Sequence, residues 1–234
     1  MNQNPPVLLL TRPQEASERF AGCVPEISAI ISPLLKIEPL SPILPEDPLP
    51  LVFTSANGVW AFDQLRAAQG QVAYCVGPRT AQAARDAGYD AMSAEGAVDD
   101  LVALIIGAAV NTPLIYACGR VRAGDLDGKL RRAGWQVHTC EVYDQIPQDL
   151  SETARQVLGQ TAPVILPLFS PRTAALMSAG ADGSTAPLHP VFLSENVAAA
   201  WCGSAVTGQT IAAKPNASYM VEAVKQVLAS LSSG

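Results

Sequence analysis

The chain has 234 residues, of which 49% are hydrophobic and 15% are charged, and its net charge is −6. This composition is typical of an ordered globular protein that is long enough for one large domain or two smaller ones. An acidic chain without a basic run is not expected to bind nucleic acid. The start of the chain is polar apart from Val7–Leu10, so we expect no signal peptide. The near-apolar stretch Leu101–Val110 is about half as long as a membrane span, so we expect a cytoplasmic protein without membrane contact.

The five cysteines and two histidines show no spacing that is typical of a metal site or a disulfide framework. The cysteines are Cys23, Cys75, Cys118, Cys140 and Cys202. Three of them lie in apolar, strand-like segments, where a buried free thiol is expected. Neither His138 nor His189 has a Cys or His at ligand spacing, so we interpret both as surface or strand-edge residues.

Short apolar strands alternate with amphipathic helices along most of the chain. The predicted strands are Pro6–Leu10, Leu51–Phe53, Val72–Val76 and Leu114–Cys118. The predicted helices are Pro13–Ala21, Asn57–Gln69, Arg79–Ala87, Asp99–Ala109 and Asp125–Ala133. Gly88 and Gly134 stand where helix C-caps belong. The alternation predicts an α/β fold with parallel sheets that are covered on both faces.

Two extended segments interrupt this alternation. Leu34–Pro50 contains five prolines and can be neither a regular helix nor a central strand. Gln136–Ile146 is β-prone and stops at Pro147. We therefore predict that residues 37–50 and 136–147 form a two-stranded β-ladder linker. It would join domain 1, residues 1–36 plus 148–234, to domain 2, residues 51–135.

Three strand–helix units recur in the same order in the two halves of the chain. Leu51–Phe62 matches Ile165–Met177, Ala73–Ala84 matches Val191–Trp201, and Ala91–Ile105 matches Thr210–Val224. The recurrence predicts two similar α/β domains, one continuous and one interrupted. Chance similarity among generic βα units is the alternative.

Open parallel sheets bind ligands beyond the carboxyl ends of their strands, against helix N-termini. Six of the fifteen basic residues follow predicted strands: Arg12, Arg79, Arg120, Arg122, Arg172 and Lys214. Only Glu195 and Glu95 are expected to oppose them, so we predict a cationic edge that suits a polyanionic ligand. Each Ser or Thr at a strand end, taken alone, favours a helix cap over a ligand contact.

The usual catalytic signatures are missing from the sequence. There is no Gly-rich phosphate-binding motif after the first strand, no G-x-S-x-G and no H-E-x-x-H. No Cys/His pair is typical of a nucleophile with its base. The pattern therefore predicts a site that binds an anion and does little covalent chemistry.

A series of short motifs resembles a known family over essentially the whole chain. The motifs are Thr11–Pro13 (TRP), Phe53–Val59 (FTSANGV), Val76–Gly88 (VGPRTAQAARDAG), the CGRVR-to-AGW segment ending at Trp135, Val142–Pro147 (VYDQIP), Phe169–Ala174 (FSPRTA), Leu193–Ala198 (LSENVA) and the closing AAKPNASYMVEAV. Each motif is short, but their order and spacing resemble the uroporphyrinogen-III synthase family.

The resemblance implies two α/β domains joined by a two-stranded ladder, with the active site in the cleft between them. It also implies a cofactor-free lyase of tetrapyrrole biosynthesis that converts hydroxymethylbilane to uroporphyrinogen III with inversion of the terminal pyrrole ring. The substrate closes spontaneously to the unrearranged isomer, so the enzyme must hold one conformer. It must also assist the departure of hydroxide, for which one weak acid suffices.

The resemblance also implies site residues. Tyr143, in the VY motif, is expected to donate a proton to the leaving group or to orient the group that does. The alternative is a linker tyrosine with one packed ring face and an exposed hydroxyl. The predicted substrate-binding residues are Thr11, Arg12, Ser55, Ala56, Asn57, Gly77, Thr80, Gly119, Arg120, Ser170, Thr173, Ser194, Asn196, Lys214 and Pro215. This sequence has Asn196-Val197 where many family members have hydroxyl residues.

The resemblance leads us to expect a monomer that receives hydroxymethylbilane by transient hand-over from hydroxymethylbilane synthase, and no metal or other cofactor. The main alternative is a two-lobed protein that binds an anionic ligand without turnover. A second is a transferase that uses a phosphorylated ligand at the Gly77 and Gly119 turns. A third is a regulatory module derived from the synthase fold.

Overall fold

A computed structural model describes residues 4–108, 112–122, 124–203 and 206–232. The chain divides into two compact units. Unit 1 comprises residues 1–36 and 147–234, and unit 2 comprises residues 37–146.

Strands and helices alternate along the described chain, as the sequence predicts. The strands are β1 (Val7–Leu10), β2 (Ser28–Ile31), β3 (Leu35–Pro39), β4 (Leu51–Phe53), β5 (Val72–Cys75), β6 (Asp90–Ser93), β7 (Leu114–Gly119), β8 (Val137–Pro147), β9 (Val164–Leu168), β10 (Leu188–Phe192) and β11 (Thr210–Ile211). The helices are α1 (Gln14–Ala21), α2 (Ala56–Leu65), α3 (Pro78–Asp86), α4 (Val98–Gly107), α5 (Leu126–Arg132), α6 (Glu152–Leu158), α7 (Pro171–Gly180), α8 (Glu195–Ala198) and α9 (Ala217–Ser232).

Unit 1 is built on a five-stranded sheet in the order β11-β10-β9-β1-β2, and all its neighbouring strands are parallel. Successive residues of β1 face opposite sides. Leu9 packs with α6 and α7, whereas Leu8 and Leu10 pack with α1 and α9. Helices therefore cover both faces, which explains why the strands are continuous apolar runs rather than alternating ones.

Unit 2 is built on a six-stranded sheet in the order β3-β8-β7-β4-β5-β6. The five strands from β8 to β6 pair in parallel. Phe53 of β4 packs against α2 and α3 on one face, and its neighbour Val52 packs with residues of α4 and α5 on the other. The predicted α/β class with parallel sheets is confirmed.

The two sheets share one strand order. Unit 1 runs β2-β1-β9-β10-β11, and unit 2, apart from its additional edge strand β3, runs β8-β7-β4-β5-β6. The three repeated strand–helix units start at β9, β10 and β11 in one sheet and at β4, β5 and β6 in the other. Corresponding strands therefore occupy the same places in the two sheets, but they come in a different order along the chain. In unit 1 the strands β1 and β2 precede the three repeated strands, whereas in unit 2 the corresponding strands β7 and β8 follow them.

The two segments that the sequence assigns to a linker are neighbours in the structure. Strands β3 and β8 are adjacent, and the Leu40 N–H donates to the Val142 carbonyl at 2.8 Å. Both strands pair in the six-stranded sheet, where β3 is the edge strand, a place that tolerates prolines, and only the ends of the two strands, residues 35–36 and 147, fall in unit 1. A ladder that is separate from both domains therefore stays a prediction.

The helix ends follow from local signals. Gly88 and Gly134 have φ angles of 95° and 94°, which confirms their assignment to helix C-termini. Helix α2 ends at Leu65 rather than at the predicted Gln69, because Arg66 is extended and its guanidinium donates to the Pro45 carbonyl at 2.6 Å. Ala109, the last residue of the predicted helix Asp99–Ala109, lies outside the described residues. No described helix combines the length and apolar character that crossing a membrane requires.

The interpretation of His189 as a surface or strand-edge residue is wrong, because it lies in β10, between β11 and β9, and is partly buried. Its Nε2 atom is buried and has no hydrogen-bond partner among the described residues, and burial lowers the pKa of the imidazole below its ordinary value. The unfolded chain therefore takes up a proton at a higher pH than the folded chain does.

We expect the free energy of unfolding to fall as the pH drops from about 7 toward the lowered pKa of His189, because protonation favours the unfolded chain there. His189→Gln should flatten this slope in urea-unfolding curves recorded across that interval. The control is His138→Gln, which leaves His189 in place and should keep the wild-type slope. Equal slopes for wild type and His189→Gln would contradict this account.

Candidate active site

Three adjacent strands of unit 2 end beside one another and place the candidate catalytic groups. In the order β8-β7-β4, the register pairs Tyr143 with Gly119, and Phe53 with Ala117. Ser55 follows β4 at the same carboxyl edge. This is the kind of sheet edge at which ligands of open α/β proteins bind.

A β-bulge in β8 sets the direction of the Tyr143 side chain. Cys118 pairs with Glu141, but the next residue, Gly119, pairs with Tyr143, so the register skips Val142. As a result, the consecutive side chains of Val142 and Tyr143 lie in the same apolar cluster. In a regular strand they would face opposite sides of the sheet.

Gly119 gives the Tyr143 ring room to cross strand β7. A Cβ atom at Gly119 would lie 2.7 Å from Cζ and 2.8 Å from Cε2 of Tyr143, which is too close for any side chain. With no side chain there, the ring passes over β7, and its hydroxyl oxygen reaches to 3.0 Å from Ser55 Oγ, beyond β4. Tyr143 is only 5% exposed, so the alternative of a linker tyrosine with an exposed hydroxyl does not describe it.

Ser55 is held in place because it caps helix α2. Its Oγ atom accepts the Gly58 N–H at 3.1 Å. The helix also packs closely on β7, since a Cβ atom at Gly58 would lie 3.0 Å from the Ala117 carbonyl oxygen. The interpretation of strand-end serines as helix caps is thus confirmed for Ser55, although the same hydroxyl also contacts Tyr143.

A second tyrosine holds the same turn from the other face of the sheet. The Tyr116 hydroxyl lies 3.3 Å from Thr54 Oγ1, and Tyr116 packs in the cluster opposite to that of Tyr143. Burial raises the pKa of Tyr116, and the hydrogen bond with Thr54 offsets only part of this increase. The Tyr116 phenol therefore stays neutral. Thr54 lies in the FTSANGV motif but was not predicted as a site residue, and Tyr116 was missed because only the register shows that it lies beside the end of β4.

The prediction that only Glu95 and Glu195 oppose the basic strand-end residues is wrong for unit 2. The Arg120 guanidinium lies 2.8 Å from Asp144 Oδ2 and 3.5 Å from Glu141 Oε2. Both carboxylates come from β8, which the bulge and the parallel pairing bring beside Arg120. The charge of this predicted contact to substrate is therefore already compensated within the unit.

Arg122 is paired in the same way. Its guanidinium lies 3.3 Å from Asp127 Oδ2, which also accepts the Thr139 hydroxyl at 3.1 Å. Burial raises the pKa of Asp127, but the Thr139 hydrogen bond and the charges of Arg122 and Arg131 outweigh it, so the net shift is downward. Asp127 is thus a stable anion, and the predicted cationic edge is close to neutral at this point.

The remaining predicted residues of unit 2 lie on the strand-to-helix turns. Ala56 and Asn57 form the first turn of α2, and Gly77 precedes α3. Thr80, in the first turn of α3, is 6% exposed. The structure therefore brings Tyr143, Ser55 and Gly119 into direct contact, and it places the others on neighbouring turns.

Unit 1 carries a second group of predicted residues at the corresponding edge. Thr11 follows β1; it is 2% exposed, and its hydroxyl has no hydrogen-bond partner among the described residues. The Arg12 guanidinium lies 4.1 Å from the ring centroid of Phe169, which follows β9. Phe169 was missed by sequence analysis, although it opens the FSPRTA motif.

The serine that corresponds to Ser55 in unit 1 has different partners. Ser170 caps α7 by accepting the Thr173 N–H at 3.2 Å, and its hydroxyl lies 2.8 Å from Thr173 Oγ1. The cap interpretation is confirmed here as well. Ser170 and Thr173 therefore bond to each other, whereas Ser55 bonds to a tyrosine from another strand.

The last predicted residues of unit 1 follow β10 and β11. Ser194 precedes α8 without capping it through its side chain, and Asn196 lies within that helix. The Lys214 ammonium lies 5.3 Å from the ring centroid of Tyr219, and Pro215 comes next. These residues lie at carboxyl strand ends, as the sequence predicts. Their contact with substrate stays a prediction.

The buried thiols of Cys75 and Cys118 are not suited to nucleophilic chemistry. Cys75, Cys118 and Cys140 are buried free thiols, as predicted, and Cys23 and Cys202 are exposed. Burial raises the pKa of Cys75 to about 11 and that of Cys118 to about 12, despite nearby arginines. These two thiols are protonated at neutral pH, which makes them poor nucleophiles.

Comparison with protein families identifies the class of this enzyme. A family model described as uroporphyrinogen-III synthase HemD matches residues 26–222, well over half of the chain. The chain belongs to the uroporphyrinogen-III synthase family, a family of cyclising hydro-lyases in tetrapyrrole biosynthesis. The predicted family, lyase class and synthase function are confirmed.

Two solved structures match this chain over nearly its whole length. Uroporphyrinogen-III synthetase from Helicobacter pylori 26695 is 17% identical and covers 96% of this chain and 99% of its own, with a TM-score of 0.66. A mutant uroporphyrinogen III synthase from Thermus thermophilus is 14% identical over 97% of this chain and 100% of its own, with a TM-score of 0.46. The first similarity supports the fold. Comparison with curated proteins finds no match.

We expect Gly119→Ala to break the contact between Tyr143 and Ser55, because the new Cβ atom and the Tyr143 ring cannot occupy the same space. Overpacking of this kind costs about 1–3 kcal/mol of unfolding free energy. A crystal structure of the variant should show the Tyr143 hydroxyl displaced from Ser55, and urea unfolding should show the loss of stability.

The matched control is Gly107→Ala at the end of α4, where a Cβ atom would meet nothing within 4 Å. It should unfold at the wild-type urea concentration or slightly above it. An unmoved Tyr143 ring in Gly119→Ala would show that Gly119 does not determine the ring position.

Proposed function

We propose that this chain closes hydroxymethylbilane to uroporphyrinogen III with inversion of the terminal ring and loss of water, and that Tyr143 is the proton donor. Membership of the uroporphyrinogen-III synthase family supports the reaction. The observation that carries the role of Tyr143 is its hydroxyl, fixed 3.0 Å from Ser55 Oγ at the carboxyl edge of the sheet.

The first step breaks the bond between the hydroxymethyl carbon and its oxygen. Hydroxide is a poor leaving group, so the proton of the Tyr143 hydroxyl moves to this oxygen, which departs as water. The substrate becomes an azafulvene cation, and Tyr143 becomes a phenolate. A phenol suits this step if a neighbouring group stabilises the negative charge that is left on the phenol oxygen.

The following steps need positioning rather than further acid. The cationic carbon bonds to the substituted position of the terminal ring and gives a spiro intermediate. That intermediate reopens at the original bridge and recloses with the ring reversed. The last pyrrole then loses a proton, which restores Tyr143. Because unassisted closure gives the unrearranged isomer, the protein has to hold the bilane in one conformation.

We propose that the carboxylates of the bilane bind to hydroxyls, backbone N–H groups and basic side chains at the strand ends of the two units. Ser194 and Thr11 are suited to this, since neither caps a helix through its side chain and the Thr11 hydroxyl lacks a partner within the described chain. Lys214 and Arg12 add positive charge in unit 1. Arg120 contributes less, because Asp144 already neutralises it.

Several finer points stay predictions. We propose that the enzyme works in the cytoplasm as a monomer and receives hydroxymethylbilane directly from the synthase that makes it. Chemistry supports direct hand-over, because free hydroxymethylbilane closes without the enzyme to the unrearranged isomer. The active site between the two domains is likewise implied by the family resemblance alone.

We expect the protein to give mainly the type III isomer when hydroxymethylbilane is generated in its presence. The products, oxidised to porphyrins, are separated by chromatography, and heat inactivation should return the type I product. Tyr143→Phe should lower the initial rate of type III formation about 10²- to 10⁴-fold, the usual contribution of a general acid.

The control for Tyr143→Phe is Tyr89→Phe, a second buried tyrosine of unit 2 whose hydroxyl makes only a 3.4 Å contact with the Arg66 carbonyl. It should keep the wild-type rate within about threefold. Unchanged type I product from folded wild-type protein would reject the synthase reaction. A fully active Tyr143→Phe would reject only the role of the tyrosine.

A further inference from the structure

The Ser55 hydroxyl has two neighbours among the described residues. Its oxygen accepts the Gly58 N–H at 3.1 Å, and this use of a lone pair belongs to the helix cap. The oxygen also lies 3.0 Å from the Tyr143 hydroxyl. A hydroxyl oxygen has two lone pairs and the cap uses only one of them, so in the neutral pair either hydroxyl can donate to the other.

The same contact can support Tyr143 when it gives up its proton, because Ser55 can then be the donor. When Ser55 donates to the phenol oxygen, the phenol cannot use its own hydrogen in the same contact. Tyr143 also has no second hydrogen-bond partner among the residues that the structure describes. With Ser55 as the donor, the Tyr143 hydrogen is therefore not committed to another of the described residues.

The position of Ser55 also favours negative charge on Tyr143. Ser55 is the N-cap of α2, a ten-residue helix whose first N–H groups carry the positive end of the helix dipole. A hydroxyl that accepts such an N–H donates more strongly through its own hydrogen, because bonds in a chain polarise one another. The Gly58 N–H, the Ser55 hydroxyl and the Tyr143 oxygen form such a chain.

We infer that Ser55 is a positioning residue that donates a hydrogen bond to Tyr143 and stabilises the phenolate formed when Tyr143 gives its proton to the leaving oxygen. In this step the phenol O–H bond breaks, the electron pair stays on the phenol oxygen, and the proton leaves with the departing water. The inference rests on the proposed function. It assigns Ser55 to the acid, whereas the sequence predicts a contact with a substrate carboxylate.

The matching serine of unit 1 shows that this role is particular to Ser55. Ser170 has the same cap geometry, but the hydroxyl beside it belongs to Thr173, three residues on in the same turn. Its neighbour therefore comes from its own helix rather than from a tyrosine of another strand. The repeat supplied two capping serines, and only the one beside the bulged strand contacts a phenol.

The test compares substitutions that separate the cap from the donor. Ser55→Ala removes both and should lower kcat for type III formation roughly 10- to 100-fold with little change in KM, the range for a hydrogen bond to a charged group. Ser55→Thr keeps both and should restore kcat to within about threefold of wild type. Ser55→Asp keeps the cap but replaces the donor with an anion, so it should be at least as slow as Ser55→Ala.

Two further variants separate this inference from its alternatives. Ser151→Ala removes an equivalent cap, that of α6, and should lose stability but not kcat. In the Tyr143→Phe background, Ser55→Ala should add less than about a twofold loss, because its effect passes through the phenol oxygen.

A higher KM with unchanged kcat in Ser55→Ala would overturn the inference in favour of a carboxylate contact. An equal loss in the wild-type and Tyr143→Phe backgrounds would overturn it as well. If the wild-type protein forms no type III product, the proposed function itself is wrong. This result is obtained before any Ser55 variant is made, so the two failures can be distinguished.

Discussion

The Tyr143 ring crosses strand β7 at the one position where that strand has no side chain beneath it, and the site of unit 2 depends on this crossing. The bulge at Val142 brings Tyr143 level with Gly119, and the missing Cβ atom of Gly119 leaves room for the ring. Without the bulge, Tyr143 would face the other side of the sheet. Without the glycine, its hydroxyl would stop short of Ser55. Bulges beside active sites commonly redirect a side chain in this way.

The residues around this crossing keep the turn after β4 rigid. The Ser55 cap and the close approach of Gly58 to Ala117 fix the start of α2, and the Tyr116–Thr54 contact holds the turn from the opposite face. An acid that works by position needs such support, because small displacements cost large factors in rate. The pairing of Arg120 with Asp144 also belongs to this edge and explains why its positive charge is not available in full.

The two units share a strand order, but the capping serines at their strand ends have different partners. In unit 2 the capping serine contacts a tyrosine from a neighbouring strand. In unit 1 the corresponding Ser170 contacts Thr173 of its own helix, and Arg12 lies over Phe169. This difference supports the proposal that the proton donor belongs to unit 2, whereas the contacts to the substrate carboxylates come from both units. A repeated fold does not impose a symmetric site.

The sequence predicts the fold class well because the signals for it are local. Apolar strands that alternate with capped helices are visible without any knowledge of register, as are Gly88 and Gly134 at helix ends. Strand β2, Ser28–Ile31, was missed because it is a short, half-exposed edge strand with a weak apolar pattern. The family motifs give Tyr143 and Ser55 separately. Their contact, the bulge and the pairing of Arg120 depend on register between strands that lie far apart in the chain, and no local pattern specifies that.

The most direct test of Tyr143 as a general acid varies the leaving group rather than the protein alone. If the hydroxyl of the bilane is replaced by an ester, the leaving group is a carboxylate. A carboxylate is a much weaker base than hydroxide, so it departs with little help from a proton donor. Rates of type III formation are measured for wild type and Tyr143→Phe with both bilanes. Proton donation predicts that the large deficit of Tyr143→Phe with hydroxymethylbilane shrinks to a few-fold with the better leaving group. An equal deficit with both would show that Tyr143 holds the substrate without supplying its proton.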